Sequence, residues 1–152
     1  MNKIQVEDIK DEEINYVLEE DSIILIKNSK AKINYFIKNS VKVFCLLESS
    51  NIDFVCSIEN NFNFNIFSVN TTLNITANLN KNNSKFKLVY STINEEDNVY
   101  KVTANHFGKN ITSNIISHGI NKSTAYLSFI INAKVPMESA GTKTNQDSKI
   151  IT

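Results

Sequence analysis

Between Ile14 and Asn132 the chain is a succession of short runs in which apolar and polar residues alternate, and the runs recur at an even interval. Ile23, Ile33, Val43, Phe54, Phe64, Ile75 and Phe86 mark a step of ten or eleven residues. Within the runs at 33–37, 41–45, 52–58, 62–66, 73–79 and 86–90 the alternation has the period of two that belongs to a strand with one buried face. β-branched and aromatic residues fill them, as a pleated, half-buried surface favours. No stretch of similar length carries a helical period.

The breaks between runs are equally regular. They fall at Asn28-Ser29, Asn39-Ser40, Ser49-Ser50-Asn51, Asn60-Asn61, Asn70-Thr71 and Asn82-Asn83-Ser84. Asparagine tolerates positive φ better than other side chains and bonds its own backbone at tight corners. In a chain with only 3 glycines it takes over the turning positions. Two steps make a unit of about 21 residues, which suits one coil of a flattened solenoid with a strand on each broad face. The expected fold is all-β: a right-handed parallel β-helix with two strands per turn, forming a single domain over 1–152. An antiparallel β-sandwich is the alternative, since strands at 8–12-residue intervals also mark that architecture. The absence of Asn-Gly and Asp-Gly hairpin dipeptides and the evenness of the step favour the solenoid. Beyond Tyr90 the regularity loosens. An acidic loop at 94–98 is followed by strands at 99–107, 113–120 and 125–132, and then by a polar tail over 133–148.

Charge narrows the function classes. Sixteen basic and 16 acidic residues cancel, and every basic residue is lysine. Without arginine there is no planar fork for phosphate or guanine, so neither nucleic acid nor a phosphoryl-transfer reaction is indicated. No run approaches the ~20 apolar residues of a membrane span, and Met1 to Glu20 has no leader-like apolar run. Two cysteines without an export signal read as free thiols in a reducing, cytoplasmic setting.

Few residues suggest chemistry. Cys45 and Cys56 share the inward parity of adjacent strands, where they read either as a thiolate pair for a metal or as two small core hydrophobes. His106 is the third metal candidate, but neither it nor His118 has a partner at a ligand spacing such as HExxH. Ser113, His106 and Asp147 make a hydrolytic triad only on paper. Asp53 and Asp147 are the isolated carboxylates that a polysaccharide-active β-helix enzyme would have to use. No glycine-rich phosphate loop is present.

The last third of the chain resembles the SufB/SufD family of iron–sulfur cluster assembly scaffolds. His106, then Asn110-Ile111-Thr112-Ser113, is similar to that family's histidine followed by Asn-Thr-x-Ser. Ile115-Ile116-Ser117-His118-Gly119-Ile120 resembles Ile-x-Ser-Lys-Gly-Ile, and the run 140–152 is similar to Ala-Arg-Asn-x-Thr-x-Cys-Asp-Ser-Leu-Leu-Ile-Gly through Ala140, Thr144, Asp147, Ser148 and Ile151. The resemblance implies a β-helix scaffold that acts by protein–protein association and has no catalytic residue. It implies a SufC-like ABC ATPase and a second SufB/SufD-like scaffold as partners, and an iron–sulfur cluster only within such a complex. Gln146 stands at the family's cysteine and Phe129 at its glycine, while Ser128 and Gly141 replace its arginines. The sequence match ends before the family's cluster ligands and ATPase-docking helices. Open strand edges at the ends of a solenoid add a homo-oligomer to the expected associations.

Overall fold

The computed structural model describes residues 1–122 and 124–151. Among them the chain forms strands β1 (Asn2–Glu7), β2 (Lys10–Val17), β3 (Ser22–Lys27), β4 (Lys30–Ile37), β5 (Val41–Glu48), β6 (Asn51–Ile58) and β7 (Asn61–Val69). These continue as β8 (Thr72–Leu79), β9 (Lys85–Asn94), β10 (Asn98–His106), β11 (Thr112–Asn121), β12 (Leu127–Lys134) and β13 (Lys143–Ile151). Odd strands stack in order into a 7-stranded sheet and even strands into a 6-stranded sheet. Every pairing is parallel, for example β3 with β5 and β4 with β6. This is a parallel β-solenoid with two strands per turn. The antiparallel sandwich is thereby overturned: consecutive strands lie in opposite sheets, so none forms a hairpin with the next.

Parity explains the interior. Ile52, Phe54, Cys56 and Ile58 of β6 point in, while Asp53, Val55 and Ser57 point out. In register above and below, like sits on like: Ile33 on Phe54 on Ile75, and Val43 on Phe64 on Leu88. Aromatic rings pack along and between the sheets, with Tyr35 stacked on Phe54 within the 6-stranded sheet at 5.3 Å between centroids and Phe54 edge-on to Phe64 across the core at 5.2 Å. Rings in such offset or edge-on contact gain beyond the area they bury.

The corners come in two kinds. Where an odd strand passes to an even one, Asp8, Asn28, Ser49 and Asn70 take positive φ between 47° and 57°. Each donates its N–H to the coil above, as Asn28 does to the Glu48 carbonyl at 3.0 Å. Just beyond them Ser29, Ser50 and Thr71 form a hydroxyl ladder. Each oxygen donates to the carbonyl two residues back and accepts the N–H of the coil below, Ser29 N–H to Ser50 Oγ at 3.1 Å and Ser50 N–H to Thr71 Oγ1 at 3.3 Å. The opposite corners at Asn39-Ser40 and Asn60-Asn61 need no left-handed residue. There the Asn60 side chain accepts the Ser40 hydroxyl at 2.9 Å and so staples one coil to the next.

The coil length changes along the axis. Ser22 pairs with Val43 and Val41 with Phe62, a spacing of 21 residues. Asn61 then pairs with Lys85, 24 on; Lys85 with Thr112, 27 on; and Thr112 with Lys143, 31 on. The additional residues lie in stacked corner loops. Gly108 is required in one of them, because a Cβ there would sit 2.7 Å from the Lys81 carbonyl carbon. The tail expected to be merely polar supplies β13, which is exposed along its whole length and is held by its backbone pairing with β11.

Candidate functional site

The family-like segments converge on the last coils. β10 delivers His106 to the interior, where the ring is fully buried. Its Nδ1 lies 2.9 Å from the Lys134 carbonyl of β12 and its Nε2 2.9 Å from Ser113 Oγ of β11. A carbonyl only accepts, so Nδ1 carries the hydrogen, and in the neutral ring Nε2 accepts from the Ser113 hydroxyl. Ser139, also buried, donates its hydroxyl to the His106 carbonyl at 2.8 Å. The histidine thus ties β10, β11, β12 and the loop before β13 together.

The paper triad does not assemble. His106 and Ser113 do meet, but Asp147 stands on exposed β13 in register with outward-facing Ile116, and the place of an orienting carboxylate is taken by the Lys134 carbonyl. Asp53 and Asp147 lie in different sheets, Asp53 on β6 and Asp147 on β13, so they do not form the paired carboxylates of a polysaccharide-active site.

Cys45 and Cys56 are both fully enclosed. Burial pushes both thiols well above their ordinary pKa, which disfavours the thiolate that metals bind. The Tyr35 hydroxyl between the sheets is also raised, first by its own burial and then by the two nearby thiols. Among the described residues no group of three or more histidines, cysteines, aspartates and glutamates converges on a metal-sized space. Cys45 and Cys56 sit in the core two coils before His106, with β8 between β6 and β10, and the three metal candidates do not form one centre.

The remaining family-like positions lie side by side. Ser113 pairs with Thr144, Ser117 with Ser148 and Gly119 with Ile150 across β11 and β13. The Cβ that Gly119 lacks would fall 2.5 Å from a Leu127 methyl, so the glycine makes room for β12 across the coil. Ala140 accepts the Asn110 N–H through its carbonyl at 2.9 Å. Sequence reasoning missed a buried polar cluster one coil earlier. Thr92 Oγ1 lies 2.7 Å from the Tyr100 hydroxyl and accepts from Ser68 Oγ at 2.9 Å. The inward parity of Ser68 and Thr92 was the available signal.

These features define a class, a parallel β-solenoid whose last coils are knit by buried polar contacts. No family model, no curated protein and no solved structure matches the chain.

Proposed function

We propose that this chain is a scaffold subunit that acts by association with other proteins rather than by catalysis, and that its setting is iron–sulfur cluster assembly. One observation carries the reading. Of the three segments that resemble the SufB/SufD family, two follow one another onto β11 and the third, separate in sequence, lies beside them on β13, with Ser113 against Thr144 and Ser117 against Ser148. A buried, doubly bonded His106 suits a residue that fixes coil stacking better than one that turns over substrate. Among the described residues β12 and β13 are the outer strands of their sheets, and their edges offer backbone groups to a second SufB/SufD-like scaffold by strand addition.

The test is direct binding of the purified full chain to a SufC-type ATPase and to a full-length SufB-type scaffold, read by calorimetry and co-elution. Association with the scaffold at micromolar concentration, together with no ATPase activity of the chain alone, is the expected result. Failure to bind either protein refutes the setting. Iron stoichiometry after anaerobic reconstitution should stay near zero for the chain alone, because burial keeps both thiols protonated.

A further inference from the structure

The two broad outer faces differ. On the 6-stranded sheet outward positions are mostly polar and in places bonded along the stack, as Asn34 is to Asn15 at 2.8 Å and Asn105 to Asn78 at 2.9 Å, with Val17, Phe36, Val99 and Ile130 exposed among them. On the 7-stranded sheet two adjacent outward columns are apolar at β3 and β5 and mixed beyond them, with Lys3 and Gln5 at one end and Asp147 and Lys149 at the other. One runs Ile23, Phe44, Asn65, Val89 and Ile116; the other runs Leu25, Leu46, Phe67, Ser91 and His118. Phe44, Leu46 and Phe67 are exposed by 45%, 50% and 41%. Beside the second column runs an open groove of about 460 Å³.

We propose that this face is a two-fold interface with a second copy of the same chain, the symmetry axis lying between the two columns and along the solenoid. The charges carry the argument. Outward positions of β5 read Lys42, Phe44, Leu46, Glu48, and those at β3 read Asp21, Ile23, Leu25, Lys27. Each strand therefore has opposite charges at its two ends and apolar residues between. Such an axis sets each odd strand antiparallel against its own copy. Lys42 then meets Glu48 of the second copy, Asp21 meets Lys27, and on β13 Asp147 meets Lys149.

No like-charged pair is brought together along the seven strands. Lys3 faces Gln5, Lys87 faces Ile93, and the Ile23–Phe44 ridge faces the Leu25–Leu46 column beside the groove. A two-fold axis running along the central strand β7 instead sets β5 on β9 and brings Lys42 of one copy against Lys87 of the other. Seven strands at ~4.8 Å and about 20 Å of strand length cover on the order of 700 Å² per copy. That is close to the roughly 800 Å² per partner of a standard specific interface. The interface is isologous, so it closes at two copies. It uses a face that the scaffold reading leaves unused and stands or falls apart from that reading.

The test is sedimentation of the full chain across concentrations, with Lys42→Glu and Glu48→Lys made separately and then mixed. The wild-type chain should show a concentration-dependent monomer–dimer equilibrium with nothing larger. Each variant alone should dimerise at least about tenfold more weakly, because two charge pairs become repulsive. An equimolar mixture should recover a heterodimer, since each altered position then meets an opposite charge. Both positions are exposed at the surface, so matching thermal melts confirm intact folding. A wild-type chain that stays monomeric, a mixture that recovers nothing, or an open series of oligomers indifferent to Lys42→Glu overturns the proposal.

Discussion

The coils from β3 to β8 and those from β9 to β13 are built to one plan but filled differently. In the first set the spacing holds at 21 residues and the interior is mostly hydrocarbon and aromatic ring, Phe54 against Phe64 and Phe62 against Phe64, with Cys45, Cys56 and, next to the second set, Ser68 among them. In the second the spacing grows to 31 and hydroxyls, amides and an imidazole enter the core as Thr92, Asn94, His106 and Ser113. A constant spacing lets one corner chemistry repeat, hence the Ser29–Ser50–Thr71 ladder. Once loops lengthen, each coil needs its own polar fixings. The first region is held by burial, which is insensitive to detail, and the second by pairs, each specific to its place.

The largest expected effect tests burial. Phe64→Ala should lower unfolding free energy by about 3–5 kcal/mol, whereas Thr92→Val, which breaks the contact to Tyr100, should cost about 1–2 kcal/mol. Urea denaturation decides, and equal losses would erase the distinction between the regions.

Next is alkaline pH. Cys45 and Cys56 have folded pKa values raised by burial above the ordinary 9.0. Their contribution is intact below about pH 9 and declines above it, because unfolded thiols ionise there first. The decline approaches about 1.4 kcal/mol per pH unit for each thiol. Stability measured from pH 8 to 10.5 should fall less steeply in a Cys45→Ala, Cys56→Ala variant.

Ser50→Ala removes an acceptor for the Ser29 N–H and a donor to the Glu48 carbonyl. A loss of about 1–2 kcal/mol is expected, with faster amide exchange at Ser29. The smallest effect belongs to Tyr90→Phe. Tyr90 and Ser117 sit in register on β9 and β11 with their buried hydroxyls beside one another but outside good hydrogen-bond geometry, so deleting one should change the melting midpoint little. A clear drop would show that the polar region relies on Tyr90 after all.

The repeated coils were legible because inward parity and corner residues recur in the sequence itself. Ile33, Phe54 and Ile75 announce their stack, and Asn28, Ser49 and Asn70 fall at left-handed corners. Strand β1 was missed because only Ile4 and Val6 face inward among Lys3, Gln5 and Glu7. Strand β13 was missed because it is exposed along its length and held by backbone pairing alone, which leaves no apolar alternation to read. The meeting of His106 with Ser113 depends on a loop whose path no periodicity encodes. The two cysteines were placed correctly inward. Enclosure, which decides between ligand and core, follows from the coils packed around them.

The growing coil length also has a mechanical meaning. Among the described residues each coil pairs its strands with those of the coils above and below, so a chain held by its two ends gives way rung by rung. A coil of 21 residues releases about 70 Å of contour as it peels, and the last, of 31, about 100 Å. Under tension the molecule is a graded ruler, and the size of each step in a force–extension trace tells which end is letting go.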